Sequence, residues 1–143
     1  MHVENPPIRL LHVVPTYLPA YRYGGPIYSV HSLCRSLVER GCKVDVFTTN
    51  VDGEQDSNVP LGEMVELDGV KIRYFSCPYG RRLYYSPAMI GALREHVRAY
   101  DLIHLHSVYL WPTWAAARVS RQAHVPFLIS PRGMLVKDLV KQL

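Results

Sequence analysis

The sequence has few cysteines and none in metal-ligand spacing. Cys34, Cys42 and Cys77 form no C-x-x-C pair, which excludes a disulfide framework and a thiolate zinc site. They read as reduced thiols of a cytosolic protein. No G-x-G-x-x-G follows the first apolar run, where Pro15-Thr16-Tyr17 stands, and Thr48-Thr49-Asn50 replaces the acid expected at the end of the second. A dinucleotide-binding unit is therefore a poor reading. A phosphate-binding P-loop fails too, since no G-x-x-x-x-G-K-S/T occurs. No run is apolar enough for its length to span a bilayer. The start carries Glu4, Asn5, Pro6 and Pro7, where the apolar core of a signal peptide would be needed. Charge is not concentrated either: 16 Lys and Arg against 12 Asp and Glu leave +4, spread along the chain. That balance slightly favours anionic ligands or membrane surfaces and gives no argument for nucleic acid.

What is present is a globular composition, 48% hydrophobic and 20% charged over 143 residues, enough for one domain with a real core. Ile8 to Val14 is a nearly continuous apolar run, the mark of a strand covered on both faces in a parallel sheet. A loop from Thr16 to Gly25 follows, longer than most strand-to-helix connections and so expected to be functional or mobile. From Pro26 to Arg40 the apolar residues Ile27, Val30, Cys34, Leu37 and Val38 recur at helical period, with Gly41 as the stop. Cys42 to Thr48 alternates, which predicts a strand near a sheet edge or with one wet end. Strand, helix and strand in this order make a right-handed βαβ unit.

Residues 50–62 are polar and read as a surface loop with little stake in the core. Met64–Leu67 and Val70–Phe75 flank Asp68-Gly69, a hairpin signature, with Phe75 expected near the sheet's outer edge. Residues 77–85 (Cys-Pro-Tyr-Gly-Arg-Arg-Leu-Tyr-Tyr) form a basic, aromatic loop, either simply solvated or a surface for an acceptor or lipid headgroups. Ser86-Pro87 opens a helix to about Ala99. Asp101–Ser107 is a strand, Tyr109–Ala123 a helix faced with Trp111, Trp114 and Val119, and Val125–Ser130 a strand of buried type. Leu135–Leu143 reads as a helix broken off after two turns, as in a fragment of a longer chain. The alternation predicts an α/β fold, a Rossmann-like parallel sheet flanked by helices.

Three places carry chemistry. Tyr23-Gly24-Gly25-Pro26 is a tight turn into a helix whose free N–H groups and positive dipole end suit a phosphate or carboxylate, unless it is only a good helix start. His104 and His106 alternate on one strand and so face the same side. No third ligand of Cys, Asp or Glu type sits beside them, which disfavours zinc. His104 reads as a satisfied core histidine. His106, at the strand's C-terminal end, is placed for a neutral imidazole to hydrogen-bond a sugar hydroxyl or phosphate. Arg132, with Gly133 beside it, stands at the matching end of the next strand, either as an ordinary surface arginine or as a bidentate clamp on an anion.

Leu11-His12-Val13-Val14-Pro15, Tyr23-Gly24-Gly25-Pro26, Asp101-Leu102-Ile103-His104-Leu105-His106-Ser107 and Ser130-Pro131-Arg132-Gly133-Met134, with Trp111-Pro112-Thr113-Trp114 between the last two, together resemble the N-terminal domain of a family 4 (group 1) glycosyltransferase of the GT-B fold. The resemblance runs from Ile8 to Leu135. It implies that residues 1–143 are the acceptor-side domain of a retaining enzyme, with a nucleotide-sugar donor held chiefly by a C-terminal domain absent from this chain. It implies that Gly24, Gly25 and Pro26 lie against the donor diphosphate and acceptor, that His106, rather than His104, contacts the transferred sugar, and that Arg132 and Gly133 belong to the acceptor side. The family's donor-binding Arg/Lys pair and E-x-x-x-x-x-x-E motif have no match here, so the chain alone is not expected to turn over substrate. The implied partners are the nucleotide sugar, a glycan or lipid-linked acceptor and the second domain; peripheral contact at the cytoplasmic face of a membrane is a separate expectation, from the Tyr and Arg content of residues 79–85. No cofactor and no metal are implied, and the family's lack of a D-x-D metal site is shared by this sequence. A nucleotide-sugar epimerase half and a stand-alone module of a split transferase are the alternatives.

Overall fold

The computed structural model describes residues 5–132. Gly133 and the expected last helix lie outside the described residues. The chain forms β1 (Arg9–Val13), α1 (Gly25–Glu39), β2 (Lys43–Thr49), β3 (Val51–Asp52), β4 (Gln55–Asp56), β5 (Met64–Leu67), β6 (Val70–Phe75), α2 (Pro87–His96), β7 (Leu102–His106), α3 (Trp111–Gln122) and β8 (Phe127–Ser130). Six strands make one sheet in the order β5-β6-β2-β1-β7-β8. All neighbours are parallel except β5 and β6. This is the α/β, Rossmann-like arrangement that the alternating pattern predicts.

Strand alternation divides the core into two layers. Leu11, Val13, Phe47, Ile103 and Leu105 point to one face, where α2 supplies Met89 and Leu93 and α3 supplies Ala116 and Val119. Leu10, Val14, Val44, Val46 and Ile72 point to the other, where α1 supplies Val30 and Cys34. Helix ends follow local chemistry. Ser86 Oγ accepts the Met89 N–H at 3.3 Å ahead of Pro87, and Gly41 takes φ 95° just past α1. Asp68 (φ 53°) and Gly69 (φ 80°) turn the β5–β6 hairpin in the left-handed region, as an Asp-Gly pair allows.

Several expectations are corrected. Phe75 is not near the outer edge: β5 folds back outside β6, and Phe75 is buried against Phe47 with ring centroids 5.2 Å apart. β2 is interior, between β6 and β1. Its wet end is real, with Lys43 exposed and Asp45 accepting the Tyr100 hydroxyl at 2.5 Å. Residues 50–62 do have a stake in the core, since Asn50 and Val51 are buried and β3 pairs with β4. β8 is an edge strand whose Phe127, Leu128 and Ile129 are 37–41% exposed. An apolar run signals a strand but not what covers it. Trp114 leaves the buried side of α3 and lies 57% exposed under the Arg118 guanidinium. The helix expected to reach Ala99 stops at His96 and continues as a 3₁₀ turn, Val97–Ala99.

Candidate functional site

The parallel strands aim their C-terminal ends at one edge, where open α/β sheets bind ligands. There a cavity of about 260 Å³ lies between the end of β1 (Val14, Pro15), the start of α1 (Pro26, Ile27) and the end of β7 (His106, Ser107). Arg132, just past β8, closes one side, and Tyr23 and Tyr84 contribute from the loops. Thus Pro26, His106 and Arg132 line one cavity. Gly24 and Gly25 precede Pro26 at the α1 entry without lining it, and His104 does not line it.

The loops around this edge are tied together. Arg22 Nε meets Asp52 at 2.6 Å, and the Tyr23 hydroxyl accepts the Gly53 N–H at 2.8 Å. From the other side Arg81 donates to Asp56 at 2.5 Å and to the carbonyls of Gly53 and Gln55. Arg81 of the basic loop is therefore a structural clamp on the β3–β4 hairpin, while Tyr79, Arg82 and Leu83 stay exposed. The Thr16–Gly25 loop is anchored as well, with Tyr17 buried and the Tyr74 hydroxyl donating to the Leu18 carbonyl. Gly24 holds φ 65° and ψ −132°, a conformation essentially reserved for glycine. Ser107 holds φ 97°, uncommon for a side-chain-bearing residue. It is braced by its N–H to the Ser130 carbonyl at 2.9 Å and its hydroxyl 3.1 Å from that of Thr113.

The histidines make the unusual feature. His12 of β1 pairs in register with His104 of β7, and alternation sends His12, His104 and His106 to the same face. His12 was absent from the sequence-based candidates. Its only signal is alternation within an apolar run, and nothing local announces that β7 lies beside β1. One ligating atom from each ring comes within 4.8 Å of the others, so a third imidazole is present where the sequence showed none of Cys, Asp or Glu type. His104 and His106 stack at 4.0 Å between centroids and 23° between planes. His104 Nε2 is 2.7 Å from the Ser130 hydroxyl.

His104 is therefore a satisfied histidine, though half-buried, and His106 is the more deeply buried of the two. Burial first, then neighbouring positive charge, keeps all three rings neutral. His12 is pushed down to about 3, His104 to about 4 and His106 to about 2. His106 has both nitrogens engaged, Nε2 at 2.8 Å from His12 Nδ1 and Nδ1 accepting from Arg132 at 3.0 Å and 3.2 Å. Among the described residues none lining the cavity is acidic, and Arg132 has no carboxylate partner among them. An unneutralised guanidinium next to a helix N-terminus and mostly apolar walls suits a ligand with an anionic group. A larger groove of about 720 Å³ opens at the other end of the strands, but it mixes Asp45 and Glu66 with Arg9, Lys43, Lys71 and Arg73 and holds none of the predicted residues.

No helix among the described residues is long and apolar enough to cross a membrane. No curated protein matches the chain significantly. Residues 24–143 match the family model described as a glycosyl transferase 4-like domain. That span begins at Gly24 and takes in the α1 entry, His106, Arg132 and most of the sheet, so the chain belongs to the glycosyl transferase 4-like family.

Proposed function

We propose that this domain is the acceptor-side half of a retaining glycosyltransferase that takes a sugar from a nucleotide-sugar donor to a glycan or lipid-linked acceptor. The donor would be held chiefly by a C-terminal domain. The observation that carries this reading is the convergence of Arg132, neutral His106 and the α1 N-terminus on one cavity with no carboxylate among its described lining residues. A transition state with oxocarbenium character and a departing diphosphate is stabilised by such fixed dipoles and cations. His106 would touch the transferred sugar as a hydrogen-bond acceptor. It is too weak a base to take a proton near neutral pH, since its ring is pushed down to about 2.

Gly24 and Gly25 would let the diphosphate approach the helix entry, and Gly133 would do the same beside Arg132 on the acceptor side. No cofactor or metal has a part in this scheme. The exposed Tyr79, Arg82 and Leu83 would make a peripheral contact with the inner face of a membrane, and absence of co-sedimentation with anionic vesicles at low salt would remove that part.

The test is sugar transfer by the full natural chain, with nucleotide sugars and candidate acceptors, for the wild type and His106→Ala. Turnover should fall at least about tenfold in the variant. Isomerisation of the donor without acceptor would instead mark an epimerase. Transfer that appears only after a separate polypeptide is added would mark a split enzyme.

A further inference from the structure

We infer that His12, which lines no part of the cavity, is a positioning residue that sets which face His106 turns to it, and that the face so presented takes a ligand hydroxyl lying beside an anionic oxygen. The inference rests on reading the cavity as a sugar site, and its first part stands without that reading.

The argument follows the protons. Arg132 Nε and Nη2 lie 3.2 Å and 3.0 Å from His106 Nδ1. A guanidinium has donors and no acceptor, so Nδ1 is the lone pair. The neutral ring then carries its hydrogen on Nε2 and donates it to His12 Nδ1 at 2.8 Å. Ring centroids 5.1 Å apart with planes inclined by 19° place the two imidazoles nearly head to head, a good line for an N–H···N bond. His12 in turn carries its hydrogen on Nε2, which is buried and has no partner among the described residues. A buried orphan donor is destabilising, so this chain of tautomers is not explained by stability.

What it achieves is a defined pattern at the cavity. The other tautomer of His106 would aim N–H against the donors of Arg132 and leave Nε2 as the acceptor facing His12. With His12 in place, one acceptor and a guanidinium stand side by side, with no carboxylate among the described lining residues. A ligand matching that pair carries a hydroxyl next to an anionic oxygen, as sugar phosphates do. Its hydroxyl donates to His106 Nδ1 in place of Arg132, and Arg132 turns to the anionic oxygen. No proton changes owner in this step.

The full natural chain, labelled with ¹⁵N-histidine, gives the test. Long-range ¹H–¹⁵N correlation at pH 7.5 should show His106 as the Nε2–H tautomer in the wild type and in His12→Asn, whose Oδ1 replaces the acceptor. His12→Phe should keep that tautomer while Arg132 donates to Nδ1 and lose it once saturating glucose 1-phosphate draws Arg132 away. Wild type and His12→Asn should bind glucose 1-phosphate at least about tenfold tighter than methyl phosphate, which lacks the hydroxyl, and His12→Phe should bring the two level. A wild-type Nδ1–H signal overturns the inference, and the wild-type spectrum decides this even where His12→Phe fails to fold. An unchanged tautomer in the glucose 1-phosphate complex and an unchanged preference in folded His12→Phe overturn it as well. Failure of sugar transfer with the tautomer and the preference intact counts against the transferase reading and supports the positioning role.

Discussion

The Tyr17 hydroxyl lies 2.6 Å from His31 Nδ1. His31 Nε2 lies 2.8 Å from Asp68. A carboxylate only accepts, so Nε2 carries the hydrogen and Nδ1 takes the one from Tyr17. The Thr16–Gly25 loop, α1 and the β5–β6 turn are thereby joined by two bonds, and Asp68 is held below the usual carboxylate range chiefly by the bond from His31.

Removing the first donor should loosen this joint. Tyr17→Phe leaves His31 Nδ1 without its donor next to a buried ring, and such an unsatisfied group costs about 1–3 kcal/mol. Urea unfolding should show the midpoint lowered with the slope unchanged. A midpoint equal to that of the wild type would mean that water replaces the hydroxyl.

The three neutral histidines dictate a response to acid. His106 is surrounded by His12, His104 and Arg132, and all three imidazoles have folded-state values below the ordinary 6.5. Below that value the unfolded chain binds protons that the folded chain refuses. Stability is therefore full above about pH 6.5 and falls as pH drops toward the folded values of about 2 to 4. A fully buried ring loses about 1.4 kcal/mol per pH unit in that window, and half-buried His104 less. Unfolding free energy measured at pH 7.5 and 5.5 should differ by several kcal/mol, and His12→Phe should flatten the slope. Equal stability at the two pH values would show that the folded rings take up protons as the unfolded ones do.

The two glycines at the α1 entry should respond differently. Gly24 has open space around a built Cβ but a φ of 65°, so Gly24→Ala should cost about 1–3 kcal/mol through backbone strain alone. Gly25 has the same open space and no positive φ, and Gly25→Ala should be neutral or stabilising by up to about 1 kcal/mol. Thermal melts separate the two. Weakened sugar-phosphate binding in a fully stable Gly25→Ala protein would show that a ligand approaches this backbone closely.

Arg132→Gln should lower the affinity for glucose 1-phosphate at least about tenfold, because hydrogen bonds to a charged group contribute about 1.5–3 kcal/mol. The remaining binding should depend less on salt than in the wild type. Calorimetry at two ionic strengths checks both, and an unchanged salt dependence would return Arg132 to an ordinary surface arginine.

What the sequence determined by itself was local. Apolar runs and helical periods settled the large strands and helices, Asp68-Gly69 settled the hairpin, and Gly24-Gly25-Pro26, His106 and Arg132 were visible as residues suited to polar ligands because strand ends and helix starts can be read along the chain. Neighbourhood was decided only in the tertiary structure. That β5 folds outside β6 and buries Phe75, that Arg22 and Arg81 clamp the β3–β4 hairpin, and that β7 lies beside β1 all depend on strand order. That last adjacency brings His12 within 2.8 Å of His106, a residue 94 positions away. Periodicity reports which side of a strand a residue faces, whereas the hydrogen bonds that assign the protons of the histidines form between strands whose pairing no local pattern encodes.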